Sequence, residues 1–152
     1  MQLTRPFHNL NLATGGLRLI TDLSEISAVL TDYFATRPEV RILTIFGSFA
    51  SGNAHAASDL DLAIDTGQRL SPDELAQMTS ELATRLGREV DLVDLTVSRG
   101  AILEEAIIKG RKVIQRSPED FARLLKRMWY DKEDDGRYRQ RTMQTRLLLW
   151  KQ

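Results

Sequence analysis

Apolar residues recur at helical spacing in two stretches of the chain, residues 22–35 and 72–86, and each is predicted to form an amphipathic helix. The second stretch is bounded by the residues that favour helix ends: Ser71 as N-cap, Pro72 at the first helical position, Glu74 at the capping-box position and Gly87 just past the end.

Short runs rich in β-branched and aliphatic residues predict strands at 40–46, 59–64, 89–95 and 112–115. Further helices are predicted over 99–109, closed by Gly110, and from Ser117-Pro118 into the tail, where Gly136 is a candidate point for a bend or break. This order of elements predicts an α/β (α+β) fold, a small sheet domain with a C-terminal helical extension.

Length and composition narrow the class of protein. A chain of 152 residues fits one domain with appendages. No apolar run approaches the ~20 residues that span a bilayer, and the first 20 residues lack the pattern of a secretory signal. Without cysteine there is neither a disulfide framework nor a thiolate metal site, so a cytoplasmic location is expected by default.

Charge is distributed unevenly although the formal net charge is zero. Residues 1–108 hold 8 Lys/Arg against 15 Asp/Glu, whereas residues 109–152 hold 13 against 6. The two parts therefore carry −7 and +7. A basic tail of this kind is compatible with nucleic acid, with an acidic protein partner, with the chain's own acidic part, or with a solvated helix face.

Candidate chemistry lies in the segment GSFASGNAHAASDLDLAID, residues 47–65. On a strand, Asp59 and Asp61 project from the same side about 7 Å apart, and two such carboxylates suit Mg²⁺. Gly47 allows close approach of a ligand, and with the Ser48 hydroxyl it provides a phosphate cradle. Taken alone, Gly47-Ser48 also fits an ordinary turn, and Asp59-Leu60-Asp61 also fits a solvent-facing edge strand.

The two halves together, Gly-Ser followed after ten residues by Asp59-Leu60-Asp61, resemble the DNA polymerase β-like nucleotidyltransferase superfamily. The resemblance covers residues 22–116 and implies that family's small mixed-sheet fold. The family uses a third carboxylate on a neighbouring strand, where EVDLVDL offers Asp91 and Asp94. The first Asp of this repeat matches the family's carboxylate, so we favour Asp91 and interpret Asp94 as a strand-end residue near a turn.

The resemblance departs from the family pattern at Phe49 and Ser51, where related loops carry arginine. Two other polar residues in the segment are interpreted as structural. Asp65 lies on the Asp59 face but ~13 Å beyond Asp61, too far to share a metal, and is expected to be solvated at the strand end. His55 is expected to be a surface residue of the loop.

The resemblance implies phosphoryl transfer with two Mg²⁺ ions. Asp59 and Asp61 would hold both ions, Asp91 would be a ligand of the second ion and a candidate general base, and Gly47 and Ser48 would hold the β- and γ-phosphates. ATP is the substrate that the family favours, although nothing in the sequence itself identifies the base.

The chain is similar to the minimal nucleotidyltransferases that act as antitoxins of HEPN–MNT pairs, which implies transfer of AMP to a tyrosine of a HEPN-family ribonuclease toxin in a heteromeric complex. The predicted parts are an N-terminal extension (1–20), the nucleotidyltransferase domain (21–116) and a basic helical, partner-binding extension (117–152). The open alternatives are a small-molecule nucleotidyltransferase and a catalytically silent antitoxin. Neither membrane association nor direct nucleic-acid binding is expected.

The predicted tail helix has one apolar face that fits packing on the domain and more large apolar residues than that face accounts for. The packing face holds Phe121, Leu124, Leu125 and Met128. The remaining residues are Trp129, Tyr130, Tyr138, Met143, Leu147, Leu148 and Trp150. A protein partner would cover them, although intramolecular packing or a homodimer would also do so.

Overall fold

The computed structural model describes residues 20–149, with side chains for residues 20–133. The predicted N-terminal extension lies outside the described residues except for Ile20. In chain order the elements are α1 (Leu23–Phe34), β1 (Ile42–Phe46), α2 (Gly47–Ser51), β2 (Leu60–Asp65), α3 (Pro72–Leu86), β3 (Val90–Asp94), α4 (Gly100–Glu104) with a π-helical turn (Glu105–Lys109), β4 (Arg111–Gln115) and α5 (Pro118–Leu149).

The four strands form one mixed sheet in the order β3-β2-β1-β4. β1 is antiparallel to both β2 and β4, whereas β2 and β3 are parallel. β2 and β3 are joined through α3, as a parallel pair requires a crossover connection. The edge strand β3 therefore lies beside β2, so that residues of both strands can meet at one end of the sheet.

Each face of the sheet carries its own apolar core because side chains alternate along the strands. One core packs Leu60, Leu62 and Ile64 of β2 against α1 and α3. The other core packs Ala63 of β2 against α4, the π-helical turn and α5. Odd-numbered residues of β2 thus face α4 and α5, and this alternation fixes the side on which Asp61 lies.

The helix ends follow the predicted capping chemistry. Ser71 and Glu74 form a capping box, Pro72 begins α3, and Gly87 ends it in the left-handed conformation. The predicted packing face of the tail is also confirmed, since Leu124 and Met128 are buried in the second core with Phe121 and Leu125 against it.

The tail helix α5 runs without interruption through Gly136, so the predicted break does not occur. Glycine lowers helix propensity by only about 1 kcal/mol, which the neighbouring residues of a long helix can offset. Within the described residues, no helix has the length and apolar character needed to cross a bilayer.

Candidate active site

The turn from β1 into α2 places backbone directly against a carboxylate. Gly47 has a φ of 65°, in the left-handed region that favours glycine. A Cβ atom added to Gly47 would lie 2.1 Å from Oδ2 of Asp61, far inside van der Waals contact. Gly47 is therefore required both by its backbone conformation and by the closeness of Asp61.

Asp61 and Asp91 are direct neighbours on the two parallel strands. The register pairs Asp61 with Asp91, so both side chains project from the same face of the sheet. Asp59 lies two residues before Asp61 and one residue before β2 begins. Asp59 and Asp91 are exposed, whereas Asp61 is half-buried between them and the Gly47 turn.

Electrostatic repulsion is concentrated on Asp61. Burial raises the pKa of its carboxyl above the usual range, and the negative charges of Asp91 and Asp59 raise the pKa further. An ionised Asp61 is therefore held near two like charges in a partly desolvated position. Such an arrangement is unfavourable by itself and becomes favourable when a cation binds.

The residues present fit magnesium in its usual manner of binding. All three side chains offer hard carboxylate oxygens, the donors that Mg²⁺ prefers. Among the described residues, no three acidic or imidazole side chains converge closely enough to enclose an ion by themselves. Mg²⁺ is commonly held by one or two carboxylates, with water and substrate phosphates completing its coordination, so an open carboxylate edge suits it.

Ser48, which is predicted to bind phosphate, lies in α2 directly after Gly47. The Ser48 carbonyl accepts hydrogen bonds from the Asn53 N–H (3.0 Å) and the Ser51 hydroxyl (3.2 Å), which closes α2 tightly. His55 is exposed, as predicted, and its backbone N–H donates to the Ser58 hydroxyl at 2.9 Å.

Arg88 is a residue near the site that the sequence analysis missed. Its side chain is buried, its guanidinium lies 4.6 Å from the centre of the Phe49 ring, and its Nη1 donates to the Ser58 carbonyl at 2.7 Å. Burial lowers the pKa of the Arg88 guanidinium, and the negative charge of Asp59 partly offsets this effect. The sequence signal was slight: an arginine between a helix-ending glycine and a strand.

Asp94 lies on the opposite face of β3 from Asp91 and serves the fold, in agreement with its interpretation as a strand-end residue. Its carboxylate accepts the N–H of Leu70 (2.8 Å) and both the N–H (2.8 Å) and the hydroxyl (2.7 Å) of Thr96. These bonds join the end of β3 to the loop that leads into α3.

The expectation that Asp65 is solvated was wrong. Its side chain is fully buried, and its Oδ2 accepts a 2.5 Å hydrogen bond from Nη2 of Arg123 on α5. The Gly67 N–H donates to the other carboxylate oxygen at 3.3 Å. A buried carboxylate requires such partners, and the tail helix provides the cation.

The family model described as polymerase beta, nucleotidyltransferase matches residues 29–119, which is more than half of the chain. A relative from Shewanella oneidensis, the protein adenylyltransferase MntA, is 33% identical over 90 residues. The matched part covers 56% of this chain but 63% of the relative, so the chain spans less than two thirds of that protein's length.

Solved structures confirm the predicted fold. The crystal structure of a toxin–antitoxin with AMP-PNP has a TM-score of 0.69 and 20% identity, covering 80% of this chain and 98% of that chain. A structure of a tri-AMPylated Shewanella oneidensis HEPN toxin in complex with an MNT antitoxin has a TM-score of 0.65 and 17% identity, covering 82% and 98%. The mixed sheet and its helices form a polymerase β-like nucleotidyltransferase fold.

Proposed function

Because the chain belongs to the polymerase β-type nucleotidyltransferase family, we propose that it is an antitoxin enzyme that transfers AMP from ATP to a tyrosine hydroxyl of a HEPN-family ribonuclease toxin. The observation that carries this proposal is the meeting of the Gly47 backbone with Asp61, which is paired in register with Asp91. This arrangement places the turn that we propose to bind phosphate against the carboxylates that we propose to bind cations.

In this proposal, Asp59, Asp61 and Asp91 hold two Mg²⁺ ions, and Gly47 and Ser48 bind the β- and γ-phosphates of ATP. The ions, when bound, polarise the α-phosphate and lower the pKa of the acceptor hydroxyl. The tyrosine oxygen forms a bond to the α-phosphorus, the bond to the bridging oxygen breaks, and pyrophosphate leaves. Asp91, which is exposed, accepts the hydroxyl proton.

A protein acceptor is supported by an apolar surface on the tail helix that is exposed among the described residues. Trp129 and Tyr130 of α5 are 70% and 57% exposed, and Ile108 of the π-helical turn is 54% exposed. Together with Leu125 and Lys126 they line a groove between the tail and the domain. Exposed aromatic residues of this kind commonly serve as anchors in protein interfaces. We assign this groove, the Trp129 groove, to the toxin.

Two further parts of the proposal are the domain boundaries and the location. The catalytic domain would comprise residues 21–116, preceded by an N-terminal extension, and residues 117–152 would be the partner-binding extension. A cytoplasmic location is proposed because ATP and a ribonuclease toxin would both be present there.

The test is intact-protein mass spectrometry of a HEPN toxin co-expressed with this chain. Each transferred AMP adds about 329 Da to the toxin, because attack on the α-phosphate leaves a nucleotidyl group. Purified components should give the same addition with Mg²⁺ and none with EDTA. Trp129→Ala should lower the modified fraction, whereas Trp129→Phe should retain most of it.

Two outcomes would contradict the proposal in different ways. A toxin that is neutralised but unmodified, both by the wild type and by Asp59→Asn, would indicate a contact-only antitoxin. The burial of Phe49 where related loops carry arginine is the feature that favours this alternative. Labelled AMP appearing on a small molecule and not on the toxin would indicate a small-molecule nucleotidyltransferase.

A further inference from the structure

Arg88 connects the three chain segments that surround the carboxylates. It lies between the end of α3 and the start of β3, three residues before Asp91. Its Nη1 donates to the carbonyl of Ser58, the residue immediately before Asp59. Its guanidinium stacks on Phe49, which lies on α2 two residues after Gly47. One side chain thus contacts both the phosphate-binding turn and the entry to the carboxylate strand.

The Arg88 side chain is buried and held in place by hydrogen bonds. The residue is 7% exposed, and its Nε donates to the Ile20 carbonyl at 3.0 Å. Its second terminal nitrogen, Nη2, is buried without a hydrogen-bond partner among the described residues. Burying a guanidinium carries a desolvation penalty that an aliphatic side chain would avoid. Packing alone therefore does not explain an arginine here.

The contact also gives a role to Phe49 of α2. Phe49 is buried, so its ring cannot contact a triphosphate as an arginine would. It offers a flat surface to the planar guanidinium of Arg88, a favourable cation–π geometry. The pair holds the positive charge of Arg88 against the Phe49 ring of α2.

We propose that Arg88 is a positioning residue of the nucleotidyl-transfer site, which fixes Ser58, the neighbour of Asp59, relative to helix α2 through its Ser58 hydrogen bond and its contact with Phe49. The expected effect of Arg88 on turnover rests on the proposed function. Its expected effect on the order of residues 47–51 and 58–60 does not. Displacement of a reacting group by about 1 Å can lower a rate by about 100-fold.

The matched control is Arg37, which makes similar contacts outside the site. Its guanidinium lies 4.0 Å from the centre of the Tyr33 ring and its Nη1 donates to the Tyr33 carbonyl at 2.9 Å. Both Arg88→Met and Arg37→Met remove a contact with an aromatic ring. Arg88→Met also removes bonds to two carbonyls, and Arg37→Met removes a bond to one carbonyl and an ion pair with Glu81. Arg88→Lys retains the charge but cannot hold two carbonyls and lie flat on a ring.

Arg88→Met should lower the transfer rate to the HEPN toxin at least about tenfold and raise the Mg²⁺ concentration for half-maximal rate severalfold. Arg88→Lys should recover part of the rate, and Arg37→Met should leave both quantities within about twofold of wild type. Equal losses in Arg88→Met and Arg37→Met, or a wild-type rate in Arg88→Met, would overturn the proposal.

Hydrogen exchange of the metal-free protein gives a second readout that needs no activity. Arg88→Met and the milder Phe49→Leu should both accelerate amide exchange in residues 47–51 and 58–60 by about fivefold or more, whereas Arg37→Met should not. Unchanged exchange in those segments would overturn the proposal even if transfer fell. If the wild type transfers no AMP, the proposed function fails, and the exchange result alone decides the role of Arg88.

Discussion

Strands β2 and β3 each carry two aspartates near opposite ends. The carboxylates at the two ends of the sheet have different surroundings. At one end Asp61 and Asp91 lie side by side, and burial together with the negative charges of Asp91 and Asp59 raises the pKa of Asp61. At the other end Asp65 and Asp94 are buried and bonded to an arginine, backbone N–H groups and a hydroxyl.

The end with Asp61 and Asp91 has the character of a ligand site. The end with Asp65 and Asp94 has the character of a structural contact. Buried carboxylates that are fully bonded stabilise the native state, and removing a partner or the carboxylate leaves unpaired groups. Carboxylates that repel one another do not stabilise the fold, so their presence supports the proposed cation site. Opposite effects are therefore expected from mutations at the two ends.

The largest effect should come from Asp59→Asn combined with Asp61→Asn. Transfer of AMP should fall about 1,000-fold or more, equivalent to about 4 kcal/mol of activation free energy, because the oxygens that we propose to bind the ions lose their charge. The thermal midpoint of the nucleotide-free protein should equal or exceed that of wild type, because like charges are removed. Transfer assays and calorimetry measure the two quantities. A clear fall in the midpoint would show that these aspartates also support the fold.

Asp94→Ala should have the converse effect at the other end. It removes the acceptor for the N–H groups of Leu70 and Thr96 and for the Thr96 hydroxyl, which should lower the free energy of unfolding by about 3 kcal/mol. Asp94→Asn retains one carbonyl acceptor, so its free energy of unfolding should fall by less than that of Asp94→Ala. Urea denaturation gives both values, and transfer by the folded fraction should be retained. An inactive but fully stable Asp94→Asn protein would place Asp94 in the site.

Gly47→Ala tests the close contact that defines the site. The added Cβ would lie 2.1 Å from Oδ2 of Asp61, and alanine is strained at a φ of 65°. We expect a loss of about 2 kcal/mol in transition-state stabilisation, about 30-fold in rate, because Asp61 must move. Gly52→Ala is the control, since it has a similar φ of 77° but no atom within 4 Å of an added Cβ. Equal losses in both variants would assign the effect to backbone strain alone.

The sequence predicted the regular elements well because their signals are local. Alternation, helical spacing and capping residues located the four strands and the main helices within two residues. The spacing of Gly47, Asp59 and Asp61 likewise indicated which residues would meet, and the parallel register adds that Asp91 shares their face. Their catalytic roles stay predictions.

Interactions between distant residues could not be predicted in the same way. Arg88 and Ser58 are 30 residues apart, and Asp65 and Arg123 are 58 apart. Whether a charged residue at a strand end meets solvent or a buried partner depends on which helix packs there. The sequence pattern of Asp65 is that of an ordinary strand-end acid, so its burial became apparent only with α5 in place.

The smallest effect should come from the pair that the sequence analysis missed. Arg123→Met leaves the buried Asp65 carboxylate with the Gly67 N–H as its remaining donor among the residues that the structure describes. The Arg123 side chain is 43% exposed, so water can replace part of the lost interaction, and the free energy of unfolding should fall by about 1 kcal/mol. Asp65→Asn and the double variant complete a double-mutant cycle in urea. A coupling energy within about 0.3 kcal/mol of zero would show that Asp65 is held without Arg123. A coupling of about 1 kcal/mol, with transfer of AMP unchanged, would confirm that this end of the sheet anchors the tail helix.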